Sequence, residues 1–368
     1  MTADDVAEDR QALRDAVARF AKDRSPFTRH RAVGAALTGG VEGLWRGLAD
    51  ELCVLGAGGS GEHDGEATLA DACVVIEELG RELLAEPYVS TVMGGGQWLR
   101  HADTPIARDV LGELDRGRAI VVVAGASQDP ADAPLRVRRE GATVTIDGLA
   151  GLVACARWAT HIVAVGMGDG VTNVALVPVG ARGLSLREVV TMDGDRAADV
   201  SFERVELPLE RLLIDGSAAA ATEAFVDDCV TTGLCAEALG VMRRLCVDTI
   251  DYARQRRQFG RAIADNQAIR HRIVDMHIQL EQSIAATQAA VDSLTVDRQG
   301  RARAVSVAKW QVSGACRSVG ESAIQIHGAI GTTDELPIGH FFKRALVIAH
   351  RGGTTDDHRR RFESLSFA

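Results

Sequence analysis

The sequence predicts an α+β protein in three successive parts: a helical domain over 1–116, a β domain over 117–215 and a helical bundle over 216–368. Two changes of period carry this expectation. Apolar residues recur at helical spacing in the first part, alternate with period two in the middle, and return to helical spacing in the last. A third observation is the length of the last helical stretches, which run without proline and need one another to bury their apolar stripes.

In the first part, Ala70–Ala85 (ADACVVIEELGRELLA) has the spacing of one helix, and Glu86-Pro87 ends it. The glycine-rich stretch 56–65 (GAGGSGEHDG) lacks the Lys-Ser/Thr of a phosphate loop and reads as a connection. In the middle part, Ala119–Val123, Leu135–Arg139, Thr143–Ile146, His161–Val165, Asn173–Val179 and Ala198–Val205 read as short strands. Strands this closely spaced suggest a small β-barrel or sandwich. In the last part, helices are expected over Val230–Arg254, Asn266–Leu294, Arg301–Gly328 and Gly339–His350, enough for a four-helix bundle.

Composition narrows the function classes. The 368 residues are 46% hydrophobic and 25% charged, the balance of a globular protein. The net charge of −10 argues against a nucleic-acid binder. No apolar run reaches the length of a membrane span, and the acidic N-terminal sequence is unlike a secretory signal, so a cytoplasmic location is expected. The seven cysteines form no C-x-x-C pair, so neither a metal site nor a disulfide framework is expected, and buried thiols are the simpler reading.

Two blocks stand out. One is Tyr252-Ala253-x-x-Arg256-x-x-Phe259-Gly260, followed by Gln267-Ala268-Ile269. The other is Gln325-x-x-Gly328-Ala329-x-Gly331, running into Pro337 and then Gly353-Thr354. Weaker echoes are Glu77-Glu78-Leu79-Gly80-Arg81 and Pro87-Tyr88. In this order and spacing, over nearly the full length, they resemble the acyl-CoA dehydrogenase family. The resemblance implies that fold, and α,β-dehydrogenation of an acyl-CoA thioester. In that chemistry a carboxylate removes the α proton while FAD takes hydride from the β carbon. It also implies an electron-transfer flavoprotein or similar acceptor, and an FAD held between two subunits. Arg256, Phe259, Gln267, Gln325, Gly328, Ala329 and Gly331 would be the part given to a neighbour's FAD. The residue types suit this: Arg256 offers a planar fork to a diphosphate, Phe259 a flat apolar face, the glutamines hydrogen bonds, and the glycines close backbone approach. Taken singly, each has a bland reading as surface charge, packing or helix cap.

The sequence departs from the family in three places. The family's usual base is the Glu of a Glu-Gly-Thr turn, and that position falls on Gly352, which has no side chain to take a proton. The alternative base position on the first bundle helix falls on Val230. Asp227, Asp228, Asp356 and Asp357 are the nearby carboxylates that could substitute. The family's CoA-contacting Asp-x-x-Arg appears as Asp228-Cys229-Val230-Thr231, with the arginine lost, and the family's flavin-side β loop is replaced over 124–134 (AGASQDPADAP). Trp158 and Thr160 fall near the other flavin-facing strand, where ordinary packing is the expectation for Trp158. The losses fall on the site a subunit builds for itself, and the retained residues on the part it gives away. The expectation is therefore a non-catalytic subunit that completes the FAD site of a catalytic acyl-CoA dehydrogenase partner, most simply as a heterotetramer. This resembles the two-gene acyl-CoA dehydrogenases of actinobacterial steroid side-chain degradation. A self-sufficient flavoenzyme with a displaced carboxylate, and a redox-inactive scaffold of the same fold, remain open.

Overall fold

A computed structural model describes residues 3–24, 33–58, 67–84, 87–125, 134–333 and 335–367. The chain groups into two compact units. One comprises Met1–Arg31, Cys73–Ala85 and Thr231–Ala368; the other comprises Ala32–Ala72 and Glu86–Val230.

The second unit holds the sheet. Its helices include α2 (Val33–Asp50), α4 (Gly96–His101) and α5 (Pro105–Asp115). Thr104 caps α5, accepting from Ala107 N–H at 3.3 Å with Pro105 at the first helical position. The stretch Val89–Gly95 before α4 is a fully buried π-helical turn. Eight strands follow: β1 (Val121–Ala124), β2 (Leu135–Glu140), β3 (Thr143–Ala154), β4 (His161–Gly168), β5 (Val171–Pro178), β6 (Leu184–Val190), β7 (Arg196–Pro208) and β8 (Leu212–Asp215). They form one mixed sheet in the order β6-β7-β3-β2-β4-β5-β8, with β1 also paired to β4. β1 and β2 run parallel to β4, and the other pairings are antiparallel. Two register shifts in β3, between Ile146 and Gly148 and between Ala150 and Val153, bend it as it crosses β7. Every expected strand is present; β6 and β8 are additional to those the sequence period predicts.

The first unit is the helical bundle. It contains α1 (Ala3–Arg24), most of α3 (Leu69–Gly80), the part of α6 (Gly216–Gln255) from Thr231 onward, α7 (Gln267–Ser293), α8 (Arg298–His327), α9 (Ile338–His350) and α10 (Thr355–Ser366). Its core is built from rows at helical spacing: Leu234, Ala238, Val241 and Leu245 on α6, Val305, Val312, Cys316 and Val319 on α8, and Phe341, Ala345 and Ile348 on α9. α3 and α6 cross in backbone contact. A Cβ on Gly80 would lie 2.7 Å from Glu237 O, and one on Gly240 would collide with Glu77 O. Charges flank that crossing: Arg14 reaches Glu77 at 3.0 Å and Glu78 at 2.7 Å, and Arg243 reaches Glu77 at 2.6 Å.

Asp297 caps α8 by accepting from Gln299 N–H at 2.9 Å and Gly300 N–H at 3.0 Å. Thr354 and Asp357 form a capping box on α10, a helix the sequence reading does not include. All seven cysteines are free; six are buried and Cys53 is exposed. Among the described residues no helix is long and apolar enough to cross a membrane.

Candidate functional site

Between α6 and α7 the chain makes a two-residue hairpin, β9 (Arg257–Gln258) paired with β10 (Arg261–Ala262). Its turn residues, Phe259 and Gly260, have φ of 51° and 82°. Left-handed φ at both central positions is the signature of a type I′ turn, whose twist suits a hairpin. Glycine fits there; a phenylalanine is strained. Phe259 is also 99% exposed. The hairpin thus spends backbone strain to display a bulky apolar ring that nothing in its own chain covers, the pattern of strain held at a functional position.

The first sequence block continues into α7. Asn266 precedes the helix, but its side chain makes no cap bond; its Oδ1 accepts from Arg261 Nη2 at 2.7 Å instead. Gln267 and Ala268 therefore open the helix exposed and without a side-chain cap. Arg256 is exposed beside the hairpin, its backbone N–H bonded to Tyr252 O at 2.8 Å.

The second block ends α8. Gly328 caps that helix with φ 67° and ψ −147°, a conformation open essentially to glycine alone. No atom lies within 4 Å of where its Cβ would be, so backbone conformation rather than crowding requires glycine. Gln325, Gly328 and Ala329 are exposed, while Gly331 is buried against His327.

The two blocks lie together. The Tyr252 ring stacks on His327 at 4.3 Å between centroids, and Tyr252 Oη–H donates to His327 O at 3.3 Å. His327 is buried, its Nδ1 is 2.8 Å from Ala323 O, and burial pushes its pKa down. A neutral ring with its proton on Nδ1 fits that contact. The sequence reading has Tyr252 only as part of a motif and misses His327 as its partner. Both rings are positioning groups that fix the end of α6 against the end of α8. Arg256 and Phe259 follow Tyr252, and Gln325, Gly328, Ala329 and Gly331 surround His327, so six of the seven residues assigned to a cofactor by the sequence reading flank this contact; Gln267 opens α7 beyond the hairpin.

Gly352, which the sequence reading sets at the family's base position, is half-buried. Gly352 has φ 74° and Gly353 has φ 98°. A Cβ on Gly352 would sit 3.0 Å from Leu234 Cδ1, 3.4 Å from Thr231 Oγ1 and 3.9 Å from Lys309 Cε. Thr231, which the sequence reading sets against the family's CoA-contacting arginine, is 3% exposed. Two of the three sequence departures therefore meet at one packed place. His358 Nε2 lies 2.7 Å from Gly352 O in the turn, and Lys309 Nζ donates to Ile348 O near the end of α9 before it. Lys309 is fully buried, and burial pushes its pKa down. Its place in the α8 row of Val305, Val312 and Cys316 is a signal available in the sequence.

The candidate carboxylates are placed differently from one another. Asp357 accepts Thr354 N–H at 3.0 Å and Thr354 Oγ1–H at 2.6 Å, and these bonds hold its pKa down, which suits a cap more than a base. Asp356 is exposed and 3.7 Å from Arg359. Asp228 is buried and Asp227 half-buried on α6. In the other unit, a Cβ on Gly94 would meet Val230 Cγ2 at 3.5 Å and Val123 Cγ2 at 3.6 Å. The Thr160 hydroxyl is engaged by the backbone of Ile120 at 3.1 and 3.2 Å. Trp158 is half-buried, and its Nε1 has no partner among the described residues. The 124–134 loop lies largely outside the described residues.

Helices, a mixed sheet and a helical bundle that displays an exposed turn define the class of fold, and comparison with known proteins says which. Residues 231–363 match the family described as "Acyl-CoA dehydrogenase, C-terminal domain". The chain is 28% identical over 363 residues to acyl-CoA dehydrogenase IpdE2 of Mycobacterium tuberculosis, covering 97% of each. Among solved structures it is similar to a variant of the Tcur3481-Tcur3483 steroid ACAD, at TM-score 0.86 and 25% identity over 98% of each chain. The ChsE4-ChsE5 complex of Mycobacterium tuberculosis shares the fold at TM-score 0.86 and 22% identity over 96% of each chain. Residues 231–363 thus match the C-terminal domain of the acyl-CoA dehydrogenases, and the chain as a whole has the acyl-CoA dehydrogenase fold.

Proposed function

We propose that this chain is the non-catalytic subunit of a heteromeric, FAD-dependent acyl-CoA dehydrogenase, completing the cofactor site of a partner that carries the base. One contrast carries the reading: the chain displays Phe259 at 99% exposure on a strained turn, while a Cβ on Gly352 would meet Leu234 at 3.0 Å and Thr231 at 3.4 Å. Apart from the buried Gly331, the part given to another chain is exposed, and the place of its own base is crowded on one side.

The residues present fit FAD on those terms. Arg256 would fork onto the diphosphate, Phe259 would cover an apolar face of the cofactor, and Gln267 and Gln325 would hydrogen-bond its polar edges. Gly328, Ala329 and Gly331 would bring backbone close. When bound, FAD supplies the acceptor for the hydride leaving the acyl β carbon. The protein's own contribution here is to bind and orient; proton removal falls to the partner, because position 352 offers no base. The acyl-CoA would be bound mainly by the partner, and an electron-transfer flavoprotein or similar acceptor would take the electrons. A steroid side-chain acyl group is supported by the likeness to the Tcur3481-Tcur3483 steroid ACAD.

Stoichiometry tests the reading. Co-expressed with its partner, the chain should yield a complex with one FAD per two chains; alone it should be flavin-free or poorly soluble. A homotetramer with one FAD per chain, active on an acyl-CoA, overturns it.

A further inference from the structure

Four arginines crowd the turn that presents Phe259: Arg254, Arg256, Arg257 and Arg261, all exposed. No ion pair involves any of them among the described residues, and the one side-chain bond, Arg261 to Asn266 Oδ1, goes to a neutral amide. Other arginines of this unit, including Arg14, Arg81, Arg243, Arg244 and Arg344, are paired with carboxylates. In a chain of net charge −10, the hairpin thus carries arginines without a carboxylate partner among the described residues.

The hairpin register divides these charges. Arg257 opposes Ala262 and Gln258 opposes Arg261, and Ile263 N–H donates to Arg256 O at 2.9 Å. Opposed residues share a face and neighbours alternate. Arg256, Gln258 and Arg261 therefore lie on one face, and Arg257 on the other. A diphosphate met by Arg256 lies against the first face. Arg257 lies on the opposite face, and the two negative charges of a diphosphate would balance only two of the four guanidiniums. An arginine covered in an interface without a counter-charge is strongly disfavoured.

We propose that Arg257, with Arg254 at the end of α6, docks onto a carboxylate-bearing surface of the catalytic partner subunit, beside the cofactor's diphosphate and separate from it. This rests on the heteromeric reading above. The surface sets the rate and selectivity of assembly, as complementary charge does at protein interfaces.

The experiment measures association of this chain with the flavin-bearing subunit that co-purifies with it on co-expression, at low and high salt. Wild type, R254E/R257E and R254K/R257K are compared, with R256A as the cofactor control. The charge reversal should slow association at least tenfold at low salt and flatten its salt dependence. The lysine pair should behave like wild type, and FAD per assembled complex should stay unchanged. R256A should do the reverse, losing FAD with little change in salt dependence. Wild-type association and salt dependence in R254E/R257E overturn the proposal, as does loss of FAD in step with the reversal. If the chain instead forms a homotetramer with one FAD per chain, the heteromeric reading itself has failed. Sensitivity of that self-assembly to the same variants then assigns the surface to a second copy and overturns the proposal of a catalytic partner.

Discussion

Phe259→Ala separates a residue that supports its own fold from one displayed for another chain. Phe259 is 99% exposed, so truncating the ring removes no buried area from this chain. Its φ of 51° also places a bulky L residue where the left-handed region costs about 1–2 kcal/mol. Phe259→Ala should therefore change the chain's own stability by no more than about 0.5 kcal/mol. Phe259→Gly should stabilise it by up to about 1 kcal/mol. In the complex the ring would be covered by cofactor, and burying a phenylalanine is worth about 1.5–3 kcal/mol. That corresponds to an FAD dissociation constant roughly 10–150-fold weaker. The assay pairs the circular-dichroism midpoint of the isolated variant with flavin-fluorescence titration of the deflavinated complex. A midpoint lowered by more than about 4 °C would show that the ring supports this fold. An FAD affinity within threefold of wild type would show that it meets no cofactor. Either result refutes the argument from exposure and strain.

The other predictions concern the bundle that carries this turn. Arg344 grips Glu237 through bonds of 2.6 and 2.9 Å, both residues buried. Glu237→Ala should cost about 3–5 kcal/mol by chemical denaturation, whereas the E237L/R344M pair should recover most of that loss. Gly352→Glu should destabilise by about 1–2 kcal/mol, because φ is 74° and Leu234 stands 3.0 Å from the new Cβ. It should also add no turnover per FAD in the complex; gain of a second active site would show that the position is open. His327 and His358 are both buried with pKa values pushed down, chiefly by desolvation; Lys309 and Arg361 act in the same direction on His358, and Asp248 and Asp357 oppose it on His327 and His358 respectively. The unfolded chain then binds more protons, so stability should hold above about pH 6.5 and fall as pH drops below it. The slope should reach at most about 1.4 kcal/mol per pH unit for each ring, and H327Q/H358Q should flatten it.

Much of this architecture is legible because burial and period go together. The rows Leu234–Leu245 and Val305–Val319 are both periodic and buried, so the sequence places their helices to within a few residues at their C-terminal ends. α6 begins at Gly216, earlier than its apolar stripe suggests, because the alanine-rich start has propensity but little periodicity. β6 gives little signal because it pairs with β7 alone and has no fully buried residue, and β8 because it is four residues long. α10 is polar throughout the TDDHRRR run, yet its Thr354-x-x-Asp357 capping box is readable without the structure. The π-helical turn Val89–Gly95 ends in glycines that read as a breaker; tertiary packing overrides that local preference.

The site is legible to a different degree. The identities at 256, 259, 325 and 328 can be read off the chain, but their value depends on exposure and conformation, which a sequence does not carry. Gly352 shows the limit most clearly. As a letter it records a missing carboxylate; in the fold it is a left-handed turn pressed on Leu234, with Thr231 and Lys309 beneath it. A lone lost base could leave an open site that one substitution would refill. Here positions 352 and 231 adjoin, so a side chain restored at 352 would press on Leu234 and on Thr231. Phe259 bears the opposite relation to its surroundings, strained and uncovered. A protein that had merely lost its activity would have no reason to keep that strain, whereas one that lends the ring to another subunit recovers its cost on assembly.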